Sequence, residues 1–322
     1  MKNLGLFCGG FSSEYAISMK SAQTIIDNFP KAYEVYKIEV VKGDWFCELN
    51  GEKGIFNRNN GSLQFSGRQV SFDVALICIH GDPGENGKIQ ALLDLVGIPY
   101  LNSSVKASAL SSDKYLCNQF LNARGFDTAK SHLITKDIGF DSDELIKELK
   151  LPFFVKPTDS GSSFGISKVH HKDDVAPAIE AAFEEGDTIV AESFLDGIEL
   201  TCAVFRSPKG IMALPITQVS TENDFFDYDA KYNGKSKEET PANVSVALTH
   251  DIQNASKEIY KALQLNSVAR IDYIVVEKKP FVIEVNTIPG FSKASIVPQM
   301  LSCQGIAIDE FWSMIIESEL NN

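Results

Sequence analysis

The clearest alternation of apolar and polar positions lies near the C-terminal end. The run VARIDYIVV at 268–276 and the run FVIEVN at 281–286 are rich in β-branched and aromatic residues, and a charged, proline-containing break separates them. That pattern predicts two antiparallel strands. Side chains alternate faces along a strand, so Arg270 and Asp272 share one face of the first. Glu284 and Asn286 share one face of the second, with Phe281, Ile283 and Val285 on the other. A loop centred on Lys278 sets Asp272 opposite Glu284 and Arg270 opposite Asn286.

Elsewhere the apolar runs are continuous rather than alternating. Residues 3–8 form a short apolar strand that enters GGFSSE at 9–14, and FDVALICI at 72–79 enters HGDPGENG at 80–87. Strand, glycine turn and helix start in succession predict a doubly wound α/β domain. Ile89, Leu92, Leu93 and Val96 recur at helical spacing after the second glycine loop. Further strands are read at 35–41 and around Trp45, and residues 97–104 read as a last strand leaving this domain. Lys114 falls on a helix ending near Gly125. A second unit follows, with strands at 151–156 and 165–169, a helix at 173–183 and a strand at 188–195. In a third, strands at 200–205 and 211–218 precede a long polar stretch from 220 to 240. A helix carrying Ile252, Ala255, Ile259 and Leu263 on one face then returns the chain to the hairpin. The expected divisions are 1–102, 103–195 and 196–322.

Composition narrows the function. A 322-residue chain is long enough for two or three cores, and 44% hydrophobic with 23% charged residues is ordinary for a soluble globular protein. A net charge of −13 disfavours nucleic acid or an anionic membrane as partner, and any phosphate site must use locally placed cations. The six cysteines show no CxxC spacing and read as reduced thiols of a cytoplasmic protein. No apolar run reaches the ~18 residues of a membrane span.

Several stretches carry chemistry. Opposed carboxylates on a ladder repel, and a divalent cation would turn repulsion into coordination. The ligand set at the hairpin is all oxygen, which favours Mg²⁺ or Mn²⁺ over zinc; the other reading is a hairpin with a wet polar face. TIPGFSKAS at 287–295 places backbone N–H groups and hydroxyls beside these carboxylates, which suits anionic oxygens. PTDSGSSF at 157–164, behind the Lys156 strand, reads as a phosphate cradle. GGFSSE is not the GxGxxG fingerprint, and HGDPGENGK is no P-loop, since Ile89 stands where a magnesium-binding Ser/Thr belongs. Glu14 reads either as a first-turn acid favoured by the helix dipole or as a group at the ligand-binding edge of the sheet. His80 at the next strand end reads either as structural or as part of a site. Aromatics interleaved with Lys231 suggest a flap over something anionic.

Taken in order, GGxSSE, HGxxGENG, KPxxxGSSFG, VAESFLDGIELT, DYDAKY, RID and EVNTIPGFSKAS resemble the D-alanine:D-alanine ligase family of the ATP-grasp superfamily, over residues 9–295. The resemblance implies an α/β chain, α+β in parts: an N-terminal doubly wound parallel-sheet domain, then two α+β subdomains that clamp ATP. It implies Asp272, Glu284 and Asn286 as ligands of two Mg²⁺ or Mn²⁺ ions. Lys114 and Lys156 would hold ATP phosphates under the Ser162 loop, with Glu192 at the adenine and Glu199 at the ribose. Glu14 would hold the ammonium of the first D-alanine, with His80 lining that subsite. Lys231 and Tyr232 would cap the site, Arg270 and the Gly290 N–H would stabilise an oxyanion, and Ser295 would take the carboxylate of the second D-alanine. The implied activity is ATP-dependent formation of D-alanyl-D-alanine through an acyl phosphate, for peptidoglycan precursors, by a cytoplasmic homodimer. The alternatives are a ligase using D-lactate or D-serine as acceptor, or a non-catalytic nucleotide-binding relative. Asn86 replaces the usual acid of HGxxGEDG, Ser193 stands where some relatives carry lysine, and Lys293 and Ala294 precede Ser295.

Overall fold

The computed structural model describes residues 1–159, 165–221 and 236–320. Its first sheet contains β1 (Lys2–Gly9), β2 (Tyr33–Val40), β3 (Phe46–Leu49), β4 (Glu52–Asn57), β5 (Ser62–Gln64), β6 (Gln69–Val70) and β7 (Val74–Ile77), in the order β6-β5-β4-β3-β2-β1-β7. The apolar runs form its parallel part, β2-β1-β7, with the helix Tyr15–Asn28 crossing from β1 to β2. The remaining strands extend it as an antiparallel meander. Residues 97–104, expected as a strand, reduce to a single bridge from Ala75 to Tyr100. Pro99 has no N–H with which to extend the ladder.

The two glycine loops sit against each other at the carboxyl ends of β1 and β7. Gly10 has φ +102°, and a Cβ there would lie 2.5 Å from Ile79 Cγ2; one on Gly84 would lie 2.2 Å from the Ile79 carbonyl oxygen. Only glycine allows this approach.

The second sheet, ordered β10-β9-β11-β8, is antiparallel: β8 (Ser131–Thr135), β9 (Phe153–Pro157), β10 (Ser167–Val169) and β11 (Thr188–Ser193). Its core is filled by Leu145 and Leu149 of one helix and Val175, Ile179 and Ala182 of another.

The third sheet has β12 (Ile198–Ser207), β13 (Gly210–Ala213), β14 (Thr217–Thr221), β15 (Ser236–Glu239), β16 (Val268–Val276) and β17 (Lys279–Asn286), along the path β15-β14-β12-β16-β17 with β13 on β12. The single strand expected over 211–218 is broken by Pro215 into β13 and β14, which pair with different parts of β12. The long polar stretch has paired ends, β14 and β15, and residues 222–235 lie outside the described chain.

The β16–β17 hairpin has the expected pairs, Asp272 with Glu284 and Arg270 with Asn286, but the loop is not centred on Lys278. Val276 pairs with Lys279 across a two-residue turn whose central residues, Glu277 (φ 50°) and Lys278 (φ 72°), are both left-handed. Such turns match the twist of antiparallel strands. That turn alone would offset the pairing by one. A bulge at Ile283 restores it, since Asp272 pairs with Glu284 and Tyr273 with Val282. The bulge also moves the buried position from Ile283 to Val282. Pro280 is tolerated because β17 is an edge strand.

The first and third sheets share a core. Leu4, Leu6, Val74 and Leu76 cluster with Phe205, Phe291, Phe311 and Trp312, through the helices Ile296–Gln304 and Ile308–Leu320. Phe291 stacks on Phe311 at 5.6 Å. On the other face Ile288 joins Ile77 and Ile79. The segment after the hairpin is thereby sewn onto the first sheet. Among the described residues, no helix is long and apolar enough to cross a membrane.

Candidate active site

A cavity of about 560 Å³ opens where the glycine loops of the first sheet meet the hairpin and the helix that begins at Lys114. Glu14, His80, Glu85, Lys114, Arg270, Glu284, Asn286, Gly290 and Ser295 line it, a size and polarity suited to a small polar ligand.

The hairpin face is more crowded than its sequence implies. Asp272 is 7% exposed. Its carboxylate accepts bonds from Arg270 Nε (2.8 Å), Arg270 Nη2 (2.7 Å), Asn286 Nδ2 (2.9 Å) and the Thr201 hydroxyl. Glu284 lies 3.6 Å from Lys114 Nζ. Repulsion between facing carboxylates is therefore relieved by the protein's own cations. Asp113 caps the Lys114–Asn122 helix by accepting from Leu116 N, and Lys114 N donates to the Thr158 carbonyl at 2.8 Å, which fixes where that helix starts.

The first-sheet loops supply the opposite wall. Glu14 occupies the N-cap position of its helix without a side-chain capping bond; its side chain lines the cavity instead. His80 is 5% exposed, with Nδ1 2.9 Å from the Ile288 carbonyl and Nε2 3.1 Å from the Ser21 hydroxyl. Desolvation lowers its pKa, keeping the ring neutral. Glu85 accepts from Gly81 N at 3.0 Å. Burial, with Glu14 adding to it, pushes its pKa up to about 8. Asn86 donates to Asp82, which also pairs with Lys88, so an acid at 86 would face Asp82 directly.

Ser295 is the N-cap of the helix Ile296–Gln304, yet its hydroxyl turns into the loop, 2.8 Å from the Ser292 hydroxyl and accepting from Ser292 N at 3.0 Å. A Cβ on Gly290 would sit 3.1 Å from that oxygen. Lys293 and Ala294 are exposed.

Lys156, Glu192 and Glu199 are not in the cavity wall. Lys156 (7% exposed) and Glu192 (5% exposed) form a buried ion pair at 2.6 Å between β9 and β11, and Glu199 is near the start of β12. Ser193 exchanges hydrogen bonds with the Lys130 backbone. Ser162, Lys231 and Tyr232 lie outside the described residues.

Sequence reading passed over other groups. Glu85 stands in plain view inside HGDPGENG. Thr201 faces Asp272 across β12 and β16. Asn118, one turn after Lys114, donates to the Ile283 carbonyl at the bulge (3.2 Å) and to Glu192 (3.4 Å). Ser21 shows no local signal at all.

Among the described residues no group of three or more His, Cys, Asp or Glu is preassembled for a metal. The oxygen-only set of Asp272, Glu284 and Asn286 nevertheless has the donor chemistry of a hard divalent cation.

Two family descriptions cover nearly the whole chain: D-ala D-ala ligase N-terminus over residues 3–103 and D-ala D-ala ligase C-terminus over residues 120–317. A D-alanine–D-alanine ligase of Azobacteroides pseudotrichonymphae genomovar. CFP2 is 41% identical, covering 99% of this chain and 100% of its own length. The structure of D-alanyl-alanine synthetase A from Vibrio cholerae O1 biovar eltor str. N16961 superposes with a TM-score of 0.90 at 29% identity, over 100% of this chain and 99% of that one. A D-alanine–D-alanine ligase from Bacillus anthracis, complexed with ATP, superposes at 0.79 and 29% identity, over 100% and 98%. Matched end to end in sequence, and in fold from the glycine loops to the bulged hairpin, the chain belongs to the D-alanine–D-alanine ligase family.

Proposed function

We propose that this chain joins two D-alanine molecules into D-alanyl-D-alanine at the expense of ATP, for peptidoglycan precursor synthesis. The observation that carries the reading is the convergence of Glu14, Arg270, Lys114, Gly290 and Ser295 on one cavity, together with family membership. In the first step a carboxylate oxygen of one D-alanine attacks the γ-phosphorus of ATP, and ADP leaves. In the second, the amine of another D-alanine attacks the acyl carbon, loses a proton and expels phosphate.

Each step gathers negative charge on oxygen, so preorganised cations and donors supply most of the stabilisation. Glu14 holds the first ammonium beside His80. Arg270, anchored by Asp272, and the Gly290 N–H face the developing oxyanion, while Ser295 receives the second carboxylate. Lys114 and Lys156 hold phosphates, with Glu192 and Glu199 at the adenine and ribose. Ser162, Lys231 and Tyr232 complete the reading from sequence alone, as a cover that keeps water from the acyl phosphate.

Asp272, Glu284 and Asn286 are the residues that would hold Mg²⁺ or Mn²⁺, which neutralises phosphate charge when bound. The four hydrogen bonds on Asp272 use its acceptor sites, so at least one must open on ligation. The divisions 1–102, 103–195 and 196–322, a homodimer and a cytoplasmic setting belong to the same proposal. The separate core of the second sheet supports a distinct central unit, although Ala107, Cys117 and Leu121 pack into the core of the third sheet, and the free cysteines support the cytoplasmic setting.

ADP release measured across D-alanine, D-lactate and D-serine tests the reading, with products identified by mass. D-Alanyl-D-alanine is the expected main product near neutral pH. A depsipeptide or D-alanyl-D-serine as main product would replace the acceptor, and ADP release independent of D-amino acid would remove the ligase assignment.

A further inference from the structure

The donors and acceptors around His80 leave a single arrangement. Ile288 offers a carbonyl oxygen, which only accepts, so in the neutral ring Nδ1 carries the hydrogen. Nε2 is then an acceptor, and the Ser21 hydroxyl must donate to it. The same Ser21 oxygen accepts from Phe291 N at 3.1 Å. The chain of bonds runs from Phe291 N–H to Ser21, to His80, to the Ile288 carbonyl. Both ends land on one loop, and only Pro289 and Gly290 lie between them. Ser21 is fully buried on the helix Tyr15–Asn28, and His80 follows the β7 strand, so the loop is gripped by two elements of the first sheet's layer.

We propose that Ser21 is a positioning residue, which with His80 clamps the loop on both sides of Gly290 and so aims the Gly290 N–H into the cavity. This rests on the reading of Gly290 as an oxyanion donor. Neither ring nitrogen of His80 is left for a substrate, so His80 acts through the loop as well. The polar atoms are all buried, and replacing the hydroxyl by a methyl leaves Phe291 N–H and Nε2 both unpaired. The loop must then shift or twist. A donor displaced by a fraction of an ångström loses value in a transition state more than in substrate binding.

The test compares the parent, Ser21→Ala and Ser21→Cys, the last keeping a weak donor. Steady-state kinetics and nitrogen NMR of the imidazole are recorded on all three. For Ser21→Ala, kcat falls by about 10²-fold while KM for ATP stays within about twofold, because the Lys156–Glu192 side is untouched. Ser21→Cys recovers part of kcat. The parent spectrum shows the Nδ1–H form, and the Nε2 resonance moves in Ser21→Ala. Parent-like kcat in a folded Ser21→Ala protein, or an unmoved Nε2 resonance, would overturn the clamp. So would loss of ATP affinity in step with kcat. If the parent itself shows no D-alanine-dependent turnover, the ligase reading fails, while the NMR comparison still decides whether the clamp exists.

Discussion

Asp272 and Arg270, two residues apart on one strand face, form a bidentate pair with bonds of 2.8 and 2.7 Å. This pair, rather than the juxtaposition of Asp272 with Glu284, sets the electrostatics of the hairpin. Asp272 neutralises a guanidinium that faces the cavity, and Thr201 and Asn286 take its remaining acceptor sites. Glu284 is balanced separately by Lys114.

The two acids should therefore respond differently to neutralisation. Asp272→Asn strips the charge from two charge-assisted bonds in a buried setting and turns one acceptor oxygen into an amide donor facing the guanidinium, and should cost about 1.5–3 kcal/mol of stability. Glu284→Gln, partly exposed and 3.6 Å from its lysine, should cost well under about 1 kcal/mol. Activity should fall by about 10²-fold or more in both. Urea denaturation alongside ADP release separates the effects. Equal stability losses would mean that Arg270 does not depend on Asp272.

Glu85 gives a pH signature. Its carboxyl is pushed up to about 8 from an ordinary 4.5 by burial and by Glu14. Between these values the folded chain holds a proton that the unfolded chain has released. Folding thus takes up a proton, and stability falls as pH rises through the window, by up to about 1.4 kcal/mol per pH unit. Glu85→Gln keeps an acceptor for Gly81 N and cannot ionise, so its stability should be flatter over that range. Parallel stability curves for parent and variant would remove the shifted carboxyl.

The hairpin shows what a sequence makes legible. Period-two alternation put Arg270, Asp272, Glu284 and Asn286 on the correct faces, because burial on one side of a sheet enforces that pattern. The turn and the bulge escaped, and the expected register was right only because their offsets cancel. Residues 97–104 have strand composition but Pro99 cuts the ladder. The Lys156–Glu192 pair and the Ser21 clamp depend on partners brought together by tertiary packing, with Ser21 270 positions from Phe291. A buried serine on a helix reads as ordinary helix surface until its partners are placed.

Metal removal should affect turnover without loosening the apo fold. Each hairpin acid already has a cationic partner, so a chelator should leave thermal unfolding of the ligand-free protein unchanged. ADP release with D-alanine should disappear in excess chelator and return with Mg²⁺. Undiminished turnover in chelator would show that Asp272, Glu284 and Asn286 hold no essential ion.

The Lys156–Glu192 pair yields the last prediction, because its two proposed duties conflict. Lys156 is to hold a phosphate and Glu192 an adenine, yet they hold each other at 2.6 Å, each under a tenth exposed. Breaking a buried pair from one side leaves an uncompensated charge, typically at about 3–5 kcal/mol. Glu192→Gln should therefore destabilise the ligand-free protein by that order. ATP changes the comparison. Its phosphates bring a new counter-charge to Lys156, so the nucleotide should raise the melting temperature of Glu192→Gln more than that of the parent. Adenosine, which has no phosphate, should give no such excess. Melting curves with ATP, adenosine and no ligand decide it. An ATP-induced rise no larger in the variant than in the parent would mean that Lys156 never exchanges the carboxylate for phosphate, and that the pair is a fixed strut between β9 and β11.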